Sequence, residues 1–222
     1  MALGEGGRSV VRPLGSRKVL LGCLVVLSLT ILMGVVSIPF AFRIYYIQSE
    51  AMAPTLSAGD VVIVSRWSYL WSKPARFDIV VFRAPEWALR PGQIPGKTEF
   101  VKRLIGLPGD VIEVKAGEGL YLNGKLLKEP YINGIPQYSM KIIDGIVYEY
   151  DEAGNVWKGG PHMMRVNVLE AAERQRVFTT PSQPIPPGKY LMLGDNRNNS
   201  SDSHHWGLLD ANRITGKVLF VR

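Results

Sequence analysis

The sequence predicts a mostly β protein, with a single N-terminal transmembrane helix followed by an antiparallel β domain that carries a smaller inserted β subdomain. Two observations predict it. An uncharged apolar run fills Val19 to Phe42, and beyond it short β-branched runs alternate with Gly, Pro and Asp turns instead of helix-length periodic segments.

The apolar run, VLLGCLVVLSLTILMGVVSIPFAF, extends about 36 Å as a helix, enough to cross a hydrocarbon core of about 30 Å. Arg8, Arg12, Arg17 and Lys18 before it also suit a cleaved export signal. The run is far longer than an apolar signal core of about 7 to 15 residues, and Phe40 to Gln48 has no small-residue cleavage pattern. A retained anchor over 19–42 is therefore expected. Four basic residues before the span, against Arg43 after it, put the tail 1–18 in the cytoplasm and the rest of the chain outside the cytoplasmic (inner) membrane.

Strands are expected at Val61–Val64, Ile79–Phe82, Val111–Val114, Tyr190–Leu193 and Val218–Val221, several introduced by Gly-Asp or Phe-Asp. Residues 43–112 and 188–222 form the main β core in this reading, and 113–187 the inserted subdomain. Within the insertion, Asn123-Gly124 and Ala153-Gly154-Asn155 mark hairpins, and Leu169–Gln175 (LEAAERQ) is the one short helix expected outside the membrane. Arg66–Trp71 (RWSYLW) admits two readings, a packed hairpin with buried aromatics or a surface dipping into a lipid interface.

Composition narrows the classes of function. The 26 Lys+Arg against 19 Asp+Glu give a net charge of +7, but the basic residues are dispersed and out of register with aromatics, so no nucleic-acid partner is expected. The only cysteine, Cys23, lies in the apolar run, which leaves no intramolecular disulfide. His162, His204 and His205 lack the helical two-histidine spacing of a zinc protease, so neither a metal nor a cofactor is expected.

Four ordered blocks carry the chemistry: Ser49–Leu56 (SEAMAPTL), Arg76–Phe82 (RFDIVVF), Phe100–Asp110 (FVKRLIGLPGD) and Gly194–Ser203 (GDNRNNSSDS). Together, after a single anchor, they resemble the boxes of the bacterial type I signal peptidases, Ser/Lys endopeptidases that trim export signals. The resemblance covers the main β core and matches the insertion only by position. It implies a serine nucleophile immediately before Met52, where this chain has Ala51. It also implies Ser49 as a hydroxyl lining the oxyanion hole, Lys102 as general base, Ser200 as the serine that orients that lysine, and Asp202 as a supporting acid. Asp195 opens the same loop, and His204 stands where the family pattern often has Arg.

The chemistry explains the residue types. A serine hydroxyl attacks only when a base takes its proton, and lysine serves as that base only when desolvated enough to be neutral. In a strand Phe100, Lys102 and Leu104 share one face, which sets the ammonium among apolar neighbours. On its own Lys102 also reads as a surface lysine on an edge strand, and Ser200 as a turn residue capping its own backbone. The resemblance further implies signal peptides of exported preproteins as partners, with small side chains before the cut, and Ile47, Met52, Leu56, Phe100 and Val101 are candidate pocket walls.

Ala51 has three accounts. A Ser-to-Ala replacement that disables the enzyme is the most economical, because the rest of its block is retained; a natural pseudoenzyme that binds signal sequences and a site shifted to Ser49 are the others. Self-cleaving repressor peptidases share the Ser/Lys chemistry but lack an anchor, and a non-catalytic receptor or membrane-tethered scaffold is the rival from another class.

Overall fold

A computed structural model describes residues 16–160, 166–168 and 170–221. Arg8, Arg12, His162 and Leu169, used above, lie outside the described residues. Helix α1 (Ser16–Ala41) contains one stretch, Arg17–Val36, long and apolar enough to cross a membrane. Its side chains are exposed from Arg17 to Val36, as a lipid-facing helix requires. The apolar run outlasts the helix by one residue, because Phe42 pairs with Ser65 and opens the first strand.

Phe42–Arg222 form the second compact unit. In chain order its strands are β1 (Phe42–Tyr46), β2 (Val61–Ser65), β3 (Ile79–Arg83), β4 (Glu99–Gly106), β5 (Ile112–Lys115), β6 (Gly119–Leu122) and β7 (Lys125–Leu126). There follow β8 (Ser139–Ile143), β9 (Ile146–Tyr150), β10 (Val156–Lys158), β11 (Val166–Asn167), β12 (Lys189–Leu193), β13 (Leu209–Asp210) and β14 (Ile214–Val221). They make two seven-stranded sheets, ordered β1-β2-β14-β3-β4-β12-β13 and β11-β10-β9-β8-β5-β6-β7. Neighbouring strands are antiparallel, as β3 with β4 and β8 with β9 illustrate.

The second sheet is drawn wholly from 112–167, and the chain returns to the first at β12, beside β4. It does not have a core to itself. Ile105, Leu191 and Leu193 of the first sheet pack in one buried cluster with Ile112, Val114, Leu120, Met140, Ile142 and Val147. The first sheet is covered on both faces: on β3, Val80 and Phe82 join one cluster while Val81 joins another. That double burial is why IVVF reads as a continuous apolar run and not as alternation. Each fully buried side chain of this size contributes about 1.5 to 3 kcal/mol relative to exposure.

Both expected hairpins form. Asn123 and Gly124 take φ of 51° and 78° between β6 and β7, the left-handed pair a tight two-residue turn demands, and β9 turns into β10 through 151–155. Asp144-Gly145, with φ of 50° and 73°, makes a third between β8 and β9. The helix foreseen over 169–175 is α3 (Ala171–Thr179), and two single-turn helices join it, α2 (Ser68–Trp71) and α4 (Ser203–Trp206). The RWSYLW segment is thus no hairpin: Trp67, Leu70 and Trp71 are exposed, Trp71 to 88%. Only Tyr69 turns inward, its hydroxyl donating to Asp78 at 2.9 Å.

Candidate active site

Strand pairing sets the frame of the site. Leu193 of β12 lies opposite Arg103 of β4, so the chain leaves β12 at Gly194 abreast of Lys102. Gly194 has no room for a side chain: a Cβ there would lie 2.2 Å from Ser200 Oγ and 2.4 Å from the Ala51 carbonyl oxygen. Glycine at this point lets residue 51 and Ser200 both close on the strand end. The Gly194 N–H donates to Asp202 at 2.9 Å, and the Asn196 N–H donates to the Ala51 carbonyl at 3.2 Å. The Asn196 side chain adds a bond to the Glu50 carbonyl at 3.1 Å, which ties the first block to the fourth.

Lys102 is 5% exposed. Its Nζ donates to the Val101 carbonyl at 3.2 Å and lies 5.8 Å from the Phe100 ring centroid. Burial pushes the ammonium below the ordinary lysine range; Asp202 opposes that shift by charge and Arg90 adds to it. Ser200 Oγ is buried and makes no hydrogen bond among the described residues. Asp202 is fully buried, accepting from the Gly194 and His204 N–H groups and meeting His204 Nδ1 at 2.5 Å. Burial pushes its carboxyl up, but His204, Gly194 and Lys102 together bring it down to about 2.

Buried ion pairs lock the blocks together. Arg103 grips Asp195 with Nε–Oδ1 at 2.8 Å and Nη2–Oδ2 at 2.6 Å, and Thr55 donates to the same carboxylate at 2.5 Å. Arg103 also donates to the Phe77 carbonyl at 3.0 Å, so one guanidinium reaches all four blocks. Arg76 pairs with Asp110 through two bonds, at 2.8 and 3.0 Å. Arg197, fully buried, does the same with Glu129 at 2.8 and 2.6 Å and anchors the fourth block to the segment after β7.

Comparison with known proteins decides the family. Residues 20–222 match the family described as signal peptidase, peptidase S26. Signal peptidase I of Bacillus caldolyticus is 36% identical over 181 residues, 82% of this chain and 79% of the relative. The chain belongs to the signal peptidase family. Signal peptidase I of Leptolyngbya laminosa is 35% identical over 194 residues, 87% of this chain and 73% of that protein. A crystal structure of a signal peptidase I from Enterococcus faecalis is 28% identical, with a TM-score of 0.39, over 67% of this chain and 98% of that one.

Several expected site residues lie otherwise than the sequence suggests. Ser49 precedes, and residue 51 lies within, a tight turn over 50–56, closed by the Leu56 N–H donating to the Met52 carbonyl at 2.9 Å. Ala51 is buried at its edge and Ser49 is exposed. The Ser200–Lys102 hydrogen bond that the resemblance implies is not made: Lys102 donates to the Val101 carbonyl, and Ser200 Oγ has no partner among the described residues. The foreseen pocket walls divide: Ile47, Met52 and Leu56 are packed core with Val101 against them, while Phe100 faces the other way, edge-on to Phe82 at 6.2 Å. Phe100 and Leu104 do share the lysine's side of β4. Sequence reasoning did not single out Arg103; a second cation at the next strand position, with acids in all four blocks, is the signal that it pairs inside.

Proposed function

We propose that the protein is a membrane-bound endopeptidase of Ser/Lys type, carrying alanine in place of its nucleophile, whose parent activity removes signal peptides from exported preproteins after small residues. The observation that carries this reading is Lys102, buried and sparsely partnered at the strand end where Gly194 admits residue 51 and Ser200. A lysine pushed toward neutrality by burial is the base a serine at 51 requires. Serine there attacks the scissile carbonyl, Lys102 takes its proton and later passes it to the leaving amine, and water releases the acyl group by the same route. The residue 51 N–H and the Ser49 hydroxyl are the donors assigned to the oxyanion, where one donor is worth about 3 kcal/mol. Ser200 positions the base, and the Asp202 charge favours the ammonium that Lys102 becomes on taking the proton.

The chain as it stands then binds signal peptides without cutting them, since the Ala51 methyl has no proton to give. The tail 1–18 is cytoplasmic in this reading, 19–42 is the anchor, the β core of 43–112 and 188–222 faces outward, and 113–187 is an insertion in it. The exposed Trp67, Leu70 and Trp71 support contact with the bilayer surface. No cofactor enters.

The test is cleavage of a purified preprotein by the full chain, by Ala51→Ser, and by Ser49→Ala made on each. Turnover is expected only with serine at 51, and Ser49→Ala on the unaltered chain is expected to change nothing. Turnover by the unaltered chain that disappears on Ser49→Ala would overturn the assignment; an inert Ala51→Ser protein that still binds signal peptide would favour a natural binder.

A further inference from the structure

Next to the peptidase site, and joined to it through the contact of His204 with Asp202, three metal-ligating side chains converge. Glu149 of β9 and the consecutive His204 and His205 of α4 offer ligand atoms that all lie within 4.8 Å of one another. Glu149 and His204 are buried and His205 half-buried. Separation in sequence hides the group, because the carboxylate comes from the second sheet and the imidazoles from the loop after β12. We propose that Glu149, His204 and His205 bind one divalent transition-metal ion of the zinc class, clamping β9 to the loop that holds Ser200 and Asp202.

Three observations carry this. His204 is held from behind, its Nδ1 at 2.5 Å from Asp202 and its ring stacked on Tyr138 with centroids 4.3 Å apart. That leaves Nε2 as the nitrogen to meet a metal, and a carboxylate behind a ligating imidazole is the arrangement that fixes its tautomer and strengthens it as a donor. The donor set, two nitrogens and one carboxylate oxygen, suits Zn²⁺, Co²⁺ or Ni²⁺, whereas Ca²⁺ and Mg²⁺ select oxygen. Finally, the three ligands border a cavity of about 460 Å³, which gives a fourth position room for water or another ligand. Arg197, on the same cavity, is neutralised by its two bonds to Glu129. Tetrahedral ligation at about 2.1 Å sets ligand atoms about 3.4 Å apart, so small side-chain rotations close the group on an ion.

The inference is independent of the Lys102 assignment, because its readout is metal binding and not cleavage. The full chain in detergent, stripped with EDTA, is titrated with Zn²⁺ by calorimetry and with Co²⁺ by visible absorption. One ion per chain is expected, with Co²⁺ bands of nitrogen and oxygen ligation and none of the thiolate charge transfer that Cys23 would give. His205→Gln and Glu149→Gln are each expected to weaken Zn²⁺ binding at least about tenfold, while His162→Gln leaves it unchanged. Absence of stoichiometric binding, or binding that survives both His205→Gln and Glu149→Gln, overturns the proposal. The Co²⁺ spectrum of the unaltered chain decides the ligand type even if a variant fails to fold, and a thiolate signature sinks it.

Discussion

Lys102 and Arg103 are neighbours on β4, both cationic in their ordinary state and both buried, to 5% and 8% exposure. Their surroundings are opposite. Arg103 has a two-bond carboxylate partner in Asp195, a carbonyl in Phe77, the Thr55 hydroxyl at 3.2 Å and the Tyr131 ring 4.1 Å from its guanidinium carbon. Lys102, one residue earlier and on the other face of the strand, has one carbonyl and the ring of Phe100. A guanidinium cannot shed its charge, so burying it requires full pairing, whereas an ammonium can shed its proton and tolerates poverty of partners. The contrast separates a structural cation from one suited to chemistry. The well-partnered one holds the blocks together, and the sparsely partnered one is the cation that the proposed reaction uses for proton transfer.

The largest effect expected from this contrast is on turnover. In the Ala51→Ser protein, Lys102→Met is expected to lower cleavage by on the order of 10⁴-fold, the upper reach of general-base catalysis. The same change is expected to leave the fold intact and to raise stability near neutral pH by on the order of 1 kcal/mol, because a strained buried cation is removed. The pH dependence has a defined sign. The base works when neutral, so turnover falls as pH falls through the lowered lysine pKa. Between that pKa and the unfolded value of about 10.4, the unfolded chain binds the extra proton, so this lysine makes stability rise with pH. Below the lowered pKa its penalty is fully present. Preprotein cleavage and urea unfolding in detergent across pH check both halves, and substantial cleavage by the Lys102→Met enzyme would break the comparison.

Next in size is Arg103→Met, expected to destabilise the chain by about 3 to 5 kcal/mol, since it strands the Asp195 carboxylate, fully buried, without its counter-charge. Denaturant unfolding of the unaltered and substituted chains measures it. A loss no greater than that from Lys102→Met would erase the distinction between the two cations.

Sequence pattern carried much of this. The IVVF run, the Asn123-Gly124 turn and the uncharged Val19–Phe42 stretch each state their local structure, because periodicity and turn chemistry act over a few residues. Asp144-Gly145 carries the same two-residue turn signal as Asn123-Gly124 and likewise joins two strands. Other features were not legible for physical reasons. The local bonds of the 50–56 turn are not the whole of its setting, since Asn196 and Asp195, far along the chain beyond the second sheet, also bond to it. Whether Met52 and Leu56 line a cleft or fill the core depends on what packs over them, and a strongly apolar side chain is the same letter in either place. The convergence of Glu149 with His204 and His205 is likewise a property of the β9–α4 approach and of no short motif.

The smallest effect concerns Ser200, and it tests how finely the Lys102 side of the comparison is tuned. The Ser200 hydroxyl is buried beside Gly194 with no hydrogen-bond partner among the described residues, while Lys102 directs an N–H at the Val101 carbonyl. A neutral lysine offers a lone pair and accepts a hydroxyl proton; a charged one offers only donors. In the proposed reaction, Ser200 gains a bond when Lys102 turns toward it, and its contribution is to hold the amine in line with residue 51. In the Ala51→Ser background, Ser200→Ala is expected to reduce kcat about tenfold, ~1.4 kcal/mol, with KM little changed. Stability is expected to stay level or rise slightly, because the substitution removes a buried hydroxyl that has no bond to lose. Steady-state kinetics and urea unfolding separate the two readouts. Stability lost by more than about 1 kcal/mol would mean that Ser200 is a bonded structural residue, on a par with Arg103, since that is the worth of a typical made hydrogen bond. Loss of kcat as deep as that of Lys102→Met would make it an obligate partner in proton transfer instead of a residue that positions the base.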